Sequence, residues 1–245
     1  MSSAVIVGAS SGVGRALTER LAQSGFDLMI VARDARDLEA TANDVRLRFG
    51  IECHFLVADI ARLDWNVTTF VSDCVNRLGE IDCLLVPAGG VSPDDLGSNP
   101  DVLYELASSN YIGPARLAAA FGRAMAERGK GALVLFSSIA AAAPRRRNAA
   151  YSAAKAALET YASALRHDLE PKGVRVLLVA LGYVDTRQTF GMRLRFPIAR
   201  PEAVARYVVR AMSGRGGKHY YPWFWWWITA ILRVLPWRVY SRLSI

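Results

Sequence analysis

The start of the chain constrains the fold most, because a strand, a glycine-rich turn and a helix follow one another directly. The apolar run 4–7 precedes Gly8, Gly12 and Gly14 in G-x-x-x-G-x-G spacing, and a helical pattern covers 15–24. Glycines at such a junction let the backbone approach a pyrophosphate, towards which the next helix points its free N–H groups. The loop alone also fits an ordinary tight turn. At a first strand–helix junction it predicts a dinucleotide site.

Strand and helix patterns alternate behind this turn. Apolar runs lie at 26–31, 51–57, 81–86, 132–136 and 174–181, and helical patterns lie at 38–49, 65–78, 102–128, 156–169 and 201–212. Such alternation is typical of a parallel sheet with helices on both faces. The chain has 245 residues, of which 52% are hydrophobic, which suits one such domain. We predict an α/β, doubly wound parallel sheet over 1–218 and an aromatic, amphipathic segment over 219–245.

A serine, a tyrosine and a lysine near the middle of the chain give the strongest chemical signal. An apolar strand ends at Ser137 and Ser138, and Tyr151 and Lys155 stand at the start of an alanine-rich helix. Positions i and i+4 share a helix face, so the ammonium lies beside the phenol ring. The cation favours the phenolate, which predicts a lowered pKa for Tyr151. Such a phenol exchanges a proton with a carbonyl oxygen or an alcohol.

The residue after the second strand favours one nicotinamide cofactor. An acid there would bind the ribose hydroxyls of NAD, but this strand is followed by Arg33, and the first acid is Asp34. A guanidinium can hold a 2′-phosphate through two hydrogen bonds, so we expect NADPH to be preferred over NADH. The alternative is that Arg33 is an ordinary solvated side chain at the strand end.

Residues after the third and fourth strands are candidates for the adenosine part of a cofactor site. In α/β sheets, ligands bind beyond the carboxyl ends of the strands. Asp59 and Ile60 would hold an adenine amino group and ring face, although Asp59 equally fits the N-cap of the next helix. The small residues Ala88 and Gly89 leave room for a ribose.

Two further positions are candidates for the nicotinamide end of the site. Backbone around Val184 and the Thr186 hydroxyl, after the sixth strand, would hold a carboxamide. Asn110 lies inside a helical pattern, where asparagine is unfavourable. It would open the helix and hold a water linking Lys155 to solvent, although a bond to a neighbouring turn is the simpler interpretation.

The C-terminal part of the chain differs from the rest in charge and in aromatic content. Of the net charge of +8, residues 187–245 contribute +10, from eleven Lys or Arg and one acid, which leaves −2 for 1–186. The apolar stretch 223–232 is shorter than the roughly 20 residues of a bilayer span. Tryptophan beside arginine predicts a peripheral membrane contact through 220–238, and a lid or a dimer interface is the alternative. We expect no nucleic-acid partner, since no recognition motif accompanies the basic charge.

The cysteines and the N-terminus indicate a reducing compartment. Cys53, Cys74 and Cys83 are scattered without metal-ligand spacing, which predicts free thiols and no bound metal. The chain enters an apolar strand without a cleavable leader pattern. We expect a cytoplasmic protein, peripheral on the inner face of the cytoplasmic membrane. The alanines of the helix after Tyr151 suit packing against a second copy, which predicts a homo-oligomer (dimer or tetramer).

Together these motifs resemble the short-chain dehydrogenase/reductase family over nearly the whole chain. The glycine loop, Asn110, Ser138 and the Tyr151-x-x-x-Lys155 pair match that family's cofactor loop and active-site residues, and the interval to Tyr151 selects Ser138 over Ser137. The resemblance implies a Rossmann fold and a catalytic tyrosine, with the serine holding the substrate carbonyl. It also implies that the lysine binds ribose and lowers the tyrosine pKa, and that the asparagine carries a relay water. The glycine-loop residues taken as cofactor contacts are Gly8, Ser10, Ser11, Gly12, Val13 and Gly14.

Two positions depart from the family's pattern, and one segment suggests a narrower group. Val86-Pro87 stands where Asn-Asn is usual, and Leu181 stands where a proline usually precedes Gly182. The segment 144–148 and the tail resemble the decaprenylphosphoryl keto-pentose 2-reductase group, which acts on a sugar carried by a polyprenyl phosphate. That resemblance implies a phosphate contact for three consecutive arginines, Arg145, Arg146 and Arg147.

We therefore expect an NADPH-dependent reductase of a substrate ketone, small or lipid-linked. The alternatives are a reductase of a soluble ketone or a 3-oxoacyl thioester, and a non-catalytic NADPH-binding scaffold at a membrane. The intact serine, tyrosine and lysine argue against the scaffold, because a protein that only binds the cofactor needs no tuned phenol.

Overall fold

The computed structural model describes residues 2–96, 99–145, 147–191 and 196–242. In this part of the chain seven parallel strands form one sheet, in the order β3-β2-β1-β4-β5-β6-β7. The strands are β1 Ser3–Val7, β2 Asp27–Ala32, β3 Cys53–Val57, β4 Cys83–Val86, β5 Gly131–Ser138, β6 Val174–Leu181 and β7 Gly217–Tyr221. The α-helices are α1 Gly12–Gln23, α2 Ala35–Phe49, α3 Val67–Leu78, α4 Pro100–Ala107, α5 Gly113–Arg128, α6 Ala149–Leu169, α7 Pro201–Ala211, α8 Trp225–Val234 and α9 Trp237–Tyr240.

Two hydrophobic layers enclose the sheet. On β1, Ala4 and Ile6 belong to one layer, and Val5 and Val7 belong to the other. Buried residues of α1, α2 and α7 complete the first layer, and those of α3, α5 and α6 complete the second. This confirms the predicted doubly wound α/β sheet. The strand order reverses between β1 and β4, the place where open α/β sheets bind ligands.

The sheet has one strand more than the sequence predicts. Residues 220 and 221 were expected to lie outside it, but Tyr220 and Tyr221 pair with Ala180 and Leu181 of β6. That expectation is wrong because β7 is a half-exposed edge strand containing Lys218. An edge strand needs no continuous apolar run, so its sequence gives little signal. The division into a catalytic domain and a tail stays a prediction.

The helical pattern predicted over 102–128 is interrupted. It consists of α4, a π-helical turn Ser108–Ile112 and α5. A π turn inserts a residue into the α-helical hydrogen-bonding pattern and is frequent at functional sites. The turn contains Asn110, so the predicted opening of the helix at this residue is confirmed.

In the described part of the aromatic tail, α8 and α9 follow β7, and α8 is amphipathic, as predicted. Trp225 and Thr229 are buried on its inner face, whereas Trp226, Trp227 and Ile231 are exposed. In the described ranges, no helix has both the length and the apolar character of a membrane span.

The three cysteines are free and buried, which confirms the expected free thiols. Burial raises the pKa of each of these thiols, Cys53, Cys74 and Cys83, to about 12. At neutral pH they are protonated and behave as small apolar side chains.

Candidate active site

The glycine loop after β1 lies against the loops that follow β4 and β6. Gly8 has φ +103°, and a Cβ built on it would lie 2.7 Å from the Ala88 backbone nitrogen. Gly12 has φ +52°, and its Cβ would lie 3.0 Å from the Thr186 methyl carbon. The structure therefore brings together four predicted site residues at the carboxyl ends of the strands: Gly8, Gly12, Ala88 and Thr186. The close approach and the positive φ both favour glycine.

The N-terminus of α1 has the properties of an anion site. The helix begins at Gly12, earlier than the predicted residue 15, and Ser11 is its extended N-cap without a side-chain cap hydrogen bond. The first turn contains no acid. Free N–H groups and the positive end of the helix dipole suit a phosphate. Ser10 is half-buried in the loop, and Val13 is half-buried in the first turn of α1.

Arg33 lies directly after β2 with an exposed side chain. The next residue, Asp34, is the N-cap of α2, and its carboxylate accepts a hydrogen bond from the Asp37 backbone N–H at 3.1 Å. The first acid after the strand is thus engaged with its own helix. The arginine is the charged side chain nearest the strand end.

Asp59 does not start a helix. Its carboxylate accepts a hydrogen bond from the Ala61 N–H at 3.0 Å, and α3 begins later, at Val67, with Asn66 as the N-cap. The N-cap alternative for Asp59 is therefore wrong, because a separate cap and a turn intervene. Ile60 is buried where the chain passes Gly113, and a Cβ on that glycine would lie 3.0 Å from the Ile60 side chain.

The Tyr151–Lys155 pair has the predicted proximity but different electrostatics. The Lys155 Nζ lies 5.8 Å from the Tyr151 ring centroid and donates a hydrogen bond to the Phe136 carbonyl at 3.0 Å. Burial lowers the pKa of Lys155 to about 8. Burial also raises the pKa of Tyr151, and a hydrogen bond with Ser138 opposes this more weakly. The expected lowering of the Tyr151 pKa is wrong for this structure, because the loss of solvation on burial outweighs the hydrogen bond with Ser138.

Asn110 borders the same space as Lys155. A Cβ built on Gly89 would lie 2.5 Å from the Asn110 Oδ1 and 3.2 Å from the Lys155 Nζ. The buried Asn110 amide accepts a hydrogen bond from the Gly90 N–H at 3.2 Å and donates to the Gly90 carbonyl at 3.0 Å and the Leu106 carbonyl at 3.1 Å. The bond to Leu106 is the simpler interpretation considered for this residue. Its role as a carrier of water stays a prediction.

The segment after β6 is held by its own backbone. Val184 is buried and forms an isolated parallel bridge with Ala199. The Thr189 hydroxyl donates to the Val184 carbonyl at 2.6 Å and accepts from the Thr186 N–H at 3.2 Å. Leu181, which replaces a usual proline, pairs with Ser138 as the last residue of β6. These contacts hold the Thr186 side chain beside the glycine loop.

The inner face of the tail packs against the candidate active site. Trp225 lies 5.6 Å from the Tyr183 ring and 4.8 Å from the Phe196 ring. The Tyr240 hydroxyl donates to the Pro144 carbonyl at 2.6 Å, between Ser138 and Tyr151 in the chain. A tail that packs on the core agrees with the lid considered as an alternative for this segment, although the aromatic residues alone do not indicate which partners they contact.

The arginines before Tyr151 have separate environments. Arg145 donates to the Tyr183 hydroxyl at 2.6 Å, and Arg147 is exposed. Arg146 lies outside the described residues. A joint phosphate contact of all three therefore stays a prediction.

One buried acid at the site was missed. Asp95 lies in the loop between β4 and α4, and its two carboxylate oxygens accept the backbone N–H groups of Ala150 and Tyr151 at 2.8 and 2.9 Å. In the sequence it is one of two adjacent acids in a polar loop. No spacing rule connects it to a helix more than fifty residues later.

Comparison with known proteins places this arrangement in a family. A family model described as short chain dehydrogenase matches residues 2–193. The chain belongs to the short-chain dehydrogenase family. It is accordingly an oxidoreductase with the doubly wound fold of that family.

Three similar proteins illustrate the range of the family. An uncharacterized oxidoreductase of Mycobacterium tuberculosis is 32% identical over 241 residues, covering 98% of this chain and 96% of the relative. A very-long-chain 3-oxoacyl-CoA reductase of Neurospora crassa is 28% identical over 233 residues, covering 90% of this chain and 69% of the relative. The structure of a short-chain dehydrogenase from Sphingobium yanoikuyae in complex with NADPH has a TM-score of 0.83 and 25% identity, covering 100% of this chain and 97% of that one.

Proposed function

We propose that this short-chain dehydrogenase is an NADPH-dependent reductase that converts a substrate ketone to an alcohol, with Tyr151 as the proton donor. The observation that supports this most is the convergence of Tyr151, Lys155 and Asn110 near Gly89, next to the glycine loop. The small residues of that loop and the uncapped N-terminus of α1 fit a dinucleotide. When bound, a nicotinamide cofactor would supply a hydride to the carbonyl carbon.

The residues of the chain then have separate tasks. The Ser138 hydroxyl holds the substrate carbonyl oxygen, and the Tyr151 phenol donates a proton to that oxygen as the carbon receives the hydride. Because burial raises the Tyr151 pKa, the phenol is protonated at neutral pH, the form that a ketone reduction requires. Lys155 and Asn110 hold the reacting groups in place and connect the phenol to solvent.

The preference for NADPH rests on Arg33. Its exposed guanidinium follows β2, and the neighbouring Asp34 carboxylate is engaged in capping α2. Because charge-assisted hydrogen bonds contribute about 1.5–3 kcal/mol, Arg33→Ala should raise KM for NADPH roughly 10- to 100-fold and leave KM for NADH unchanged. The matched control is Arg36→Ala, which removes another exposed arginine three residues later. If Arg33→Ala changed KM for NADPH and for NADH equally, or changed neither, this would contradict the preference for NADPH.

We propose a keto-sugar on a polyprenyl phosphate as the substrate and a membrane as its source. The exposed Arg147 lies before Tyr151, and the tail packs beside Pro144 in the same segment. The outer face of the tail is aromatic and apolar, and Arg233 and Arg238 lie on its helices. The exposed aromatic and apolar side chains on this face are those of Trp223, Trp226, Trp227, Ile231, Val234 and Trp237. Tryptophan and arginine suit the headgroup level of an anionic, cytoplasm-facing leaflet.

A second candidate substrate is a 3-oxoacyl thioester, because a relative is named as a very-long-chain 3-oxoacyl-CoA reductase. An NADPH-oxidation screen separates the candidates. It compares keto-sugars with and without a polyprenyl-phosphate anchor, 3-oxoacyl thioesters and simple soluble ketones. We expect the highest kcat/KM with the anchored keto-sugar. Tight NADPH binding without oxidation on any carbonyl compound would instead favour the non-catalytic scaffold.

Membrane contact is tested separately by flotation with vesicles of anionic or zwitterionic lipid. We expect the full chain to float with anionic vesicles, and the double variant Trp226→Ser, Trp227→Ser to float at least about tenfold less, since aromatic anchoring is lost. The control is Leu47→Ser, which removes an exposed apolar residue from α2, far along the sheet from the tail. Equal flotation of all three proteins would refute the contact.

We also propose a homo-oligomer, a dimer or a tetramer, in which α6 packs against its copy. Small exposed residues on this helix, such as Ser163 and Ala164, allow close approach of two helices. Light scattering after size-exclusion chromatography tests this proposal, and a monomer at micromolar concentration would contradict it.

A further inference from the structure

The N-terminus of α6 is capped from a distant loop. Its N-cap residue, Asn148, makes no side-chain cap hydrogen bond, and the first turn contains no acid. Asp95 supplies the missing acceptors, because its two oxygens bind the N–H groups of Ala150 and Tyr151. A carboxylate is favourable at the positive end of a helix, and hydrogen bonds to a charged group are the strong ones.

The burial of Asp95 shows that this contact is built into the fold. The residue is 1% exposed, whereas its neighbour Asp94 is exposed. A buried carboxylate is costly unless it is hydrogen-bonded, and here both oxygens are bonded to the α6 backbone. The contact therefore fixes the loop and the first turn of α6 relative to each other.

The same loop is fixed at its other end. The Asn110 side chain binds both the N–H and the carbonyl of Gly90. Between Gly90 and Asp95 the chain is thus held to the π turn at one end and to the Tyr151 backbone at the other. The loop therefore contacts both the π turn, which contains Asn110, and the start of α6, which contains Tyr151.

We propose that Asp95 is a positioning residue for Tyr151: by clamping the first turn of α6 to the loop after β4, it holds the phenol in register with Ser138 and Asn110. This inference rests on the proposed reductase function. Asp95 does not touch the substrate; it acts through the backbone of the residue that donates the proton. Small displacements of a reacting group can lower rates about 100-fold.

The test compares three variants of the full chain with the wild type. We expect Asp95→Ala to lower kcat per folded molecule about 10- to 100-fold while KM for NADPH stays within about twofold. Asp95→Asn, which keeps one acceptor oxygen, should give an intermediate loss. The matched control Asp94→Ala should have wild-type kcat. An unchanged kcat per folded molecule in Asp95→Ala, even with a lowered Tm, would overturn the positioning role and leave only a structural one.

Amide hydrogen exchange needs no substrate, so it tests the role of Asp95 separately from the proposed reductase function. The N–H groups of Ala150 and Tyr151 should exchange faster in Asp95→Asn than in Asp94→Ala, because the former loses hydrogen-bond acceptor strength. Unchanged exchange would overturn the clamp itself. If the wild type reduces no carbonyl compound while this exchange still responds, the proposed function fails and the clamp stands. If the wild type reduces a carbonyl compound and Asp95→Ala has the same kcat, the proposed function stands and the positioning role of Asp95 fails.

Discussion

Gly182→Ala tests whether the tail is an integral part of the folded domain. A Cβ built on Gly182 would lie 2.5 Å from Cδ1 and 2.7 Å from Cε2 of Trp225, an indole that is 1% exposed. Carbon atoms pack best at about 3.5–4.0 Å, and the indole Nε1 lies nearer to this Cβ than Cδ1 does, so the ring must move by more than about 1 Å. Overpacking of this kind destabilises by about 1–3 kcal/mol, which lowers Tm by about 2–12 °C for a chain of this size. Thermal unfolding followed by near-ultraviolet circular dichroism measures the shift.

A control and a double-variant cycle assign the effect to this contact. A Cβ on Gly90 has no neighbour within 4 Å, so Gly90→Ala should stay within about 0.5 kcal/mol of the wild type. Trp225→Phe removes the five-membered ring that faces Gly182. In the Trp225→Phe background, Gly182→Ala should lower the free energy of unfolding by less than in the wild type. The coupling energy between the two substitutions should be about 0.5–3 kcal/mol. Wild-type stability of Gly182→Ala, or strict additivity in the cycle, would refute the packing of the tail on the end of β6.

Three further predictions concern Lys155, the glycine loop and the thiols. Because the pKa of Lys155 falls from 10.5 to about 8 on burial, the unfolded chain binds more protons between those values. The buried cysteines and Tyr151 titrate alike in the wild type and in Lys155→Met, so the difference in unfolding free energy between these two cofactor-free proteins isolates Lys155. In urea titrations this difference should shift by about 3 kcal/mol in favour of the wild type across that window; a difference that does not change with pH would contradict this. Gly14→Ala places a methyl group 2.7 Å from the Gly8 carbonyl carbon, so NADPH affinity should fall at least about tenfold in fluorescence titrations; wild-type affinity would show that the loop tolerates the change. The native chain should not react with a thiol reagent at pH 8, and all three buried cysteines should react in denaturant; rapid native labelling would mean that a thiol is accessible.

The fold could be predicted from the sequence wherever burial on both faces leaves a clear pattern. The runs that became β1 to β6 are mostly apolar, because a parallel sheet covered by helices excludes water from both sides; the exceptions within the strands include Asp27, His54 and Arg175. The strand β7 escaped prediction because Lys218 and the tyrosines at 220 and 221 lie at an edge, where one face is partly solvated. The π turn was anticipated only through Asn110, an unfavourable residue for a helix interior.

The candidate site was predictable where chemistry depends on local spacing. Tyr151 and Lys155 lie on one helix face, so their proximity follows from helix geometry. The Tyr151 pKa was predicted in the wrong direction because its burial depends on elements far away in the chain. Asp95 was missed for the same reason, and so were the partners of the tail, for which only a lid was considered: these are long-range contacts that no local pattern encodes.

The most direct test of the proposed reductase is Tyr151→Phe, assayed with the carbonyl compound that gives the highest kcat/KM in the substrate screen. This change removes the proton donor and leaves the ring and its packing in place. General acid catalysis contributes about 10²–10⁴-fold, so kcat should fall by that factor while the Kd for NADPH, measured by fluorescence titration, stays within about twofold. A variant that retains wild-type kcat would contradict the assignment of Tyr151 as the proton donor.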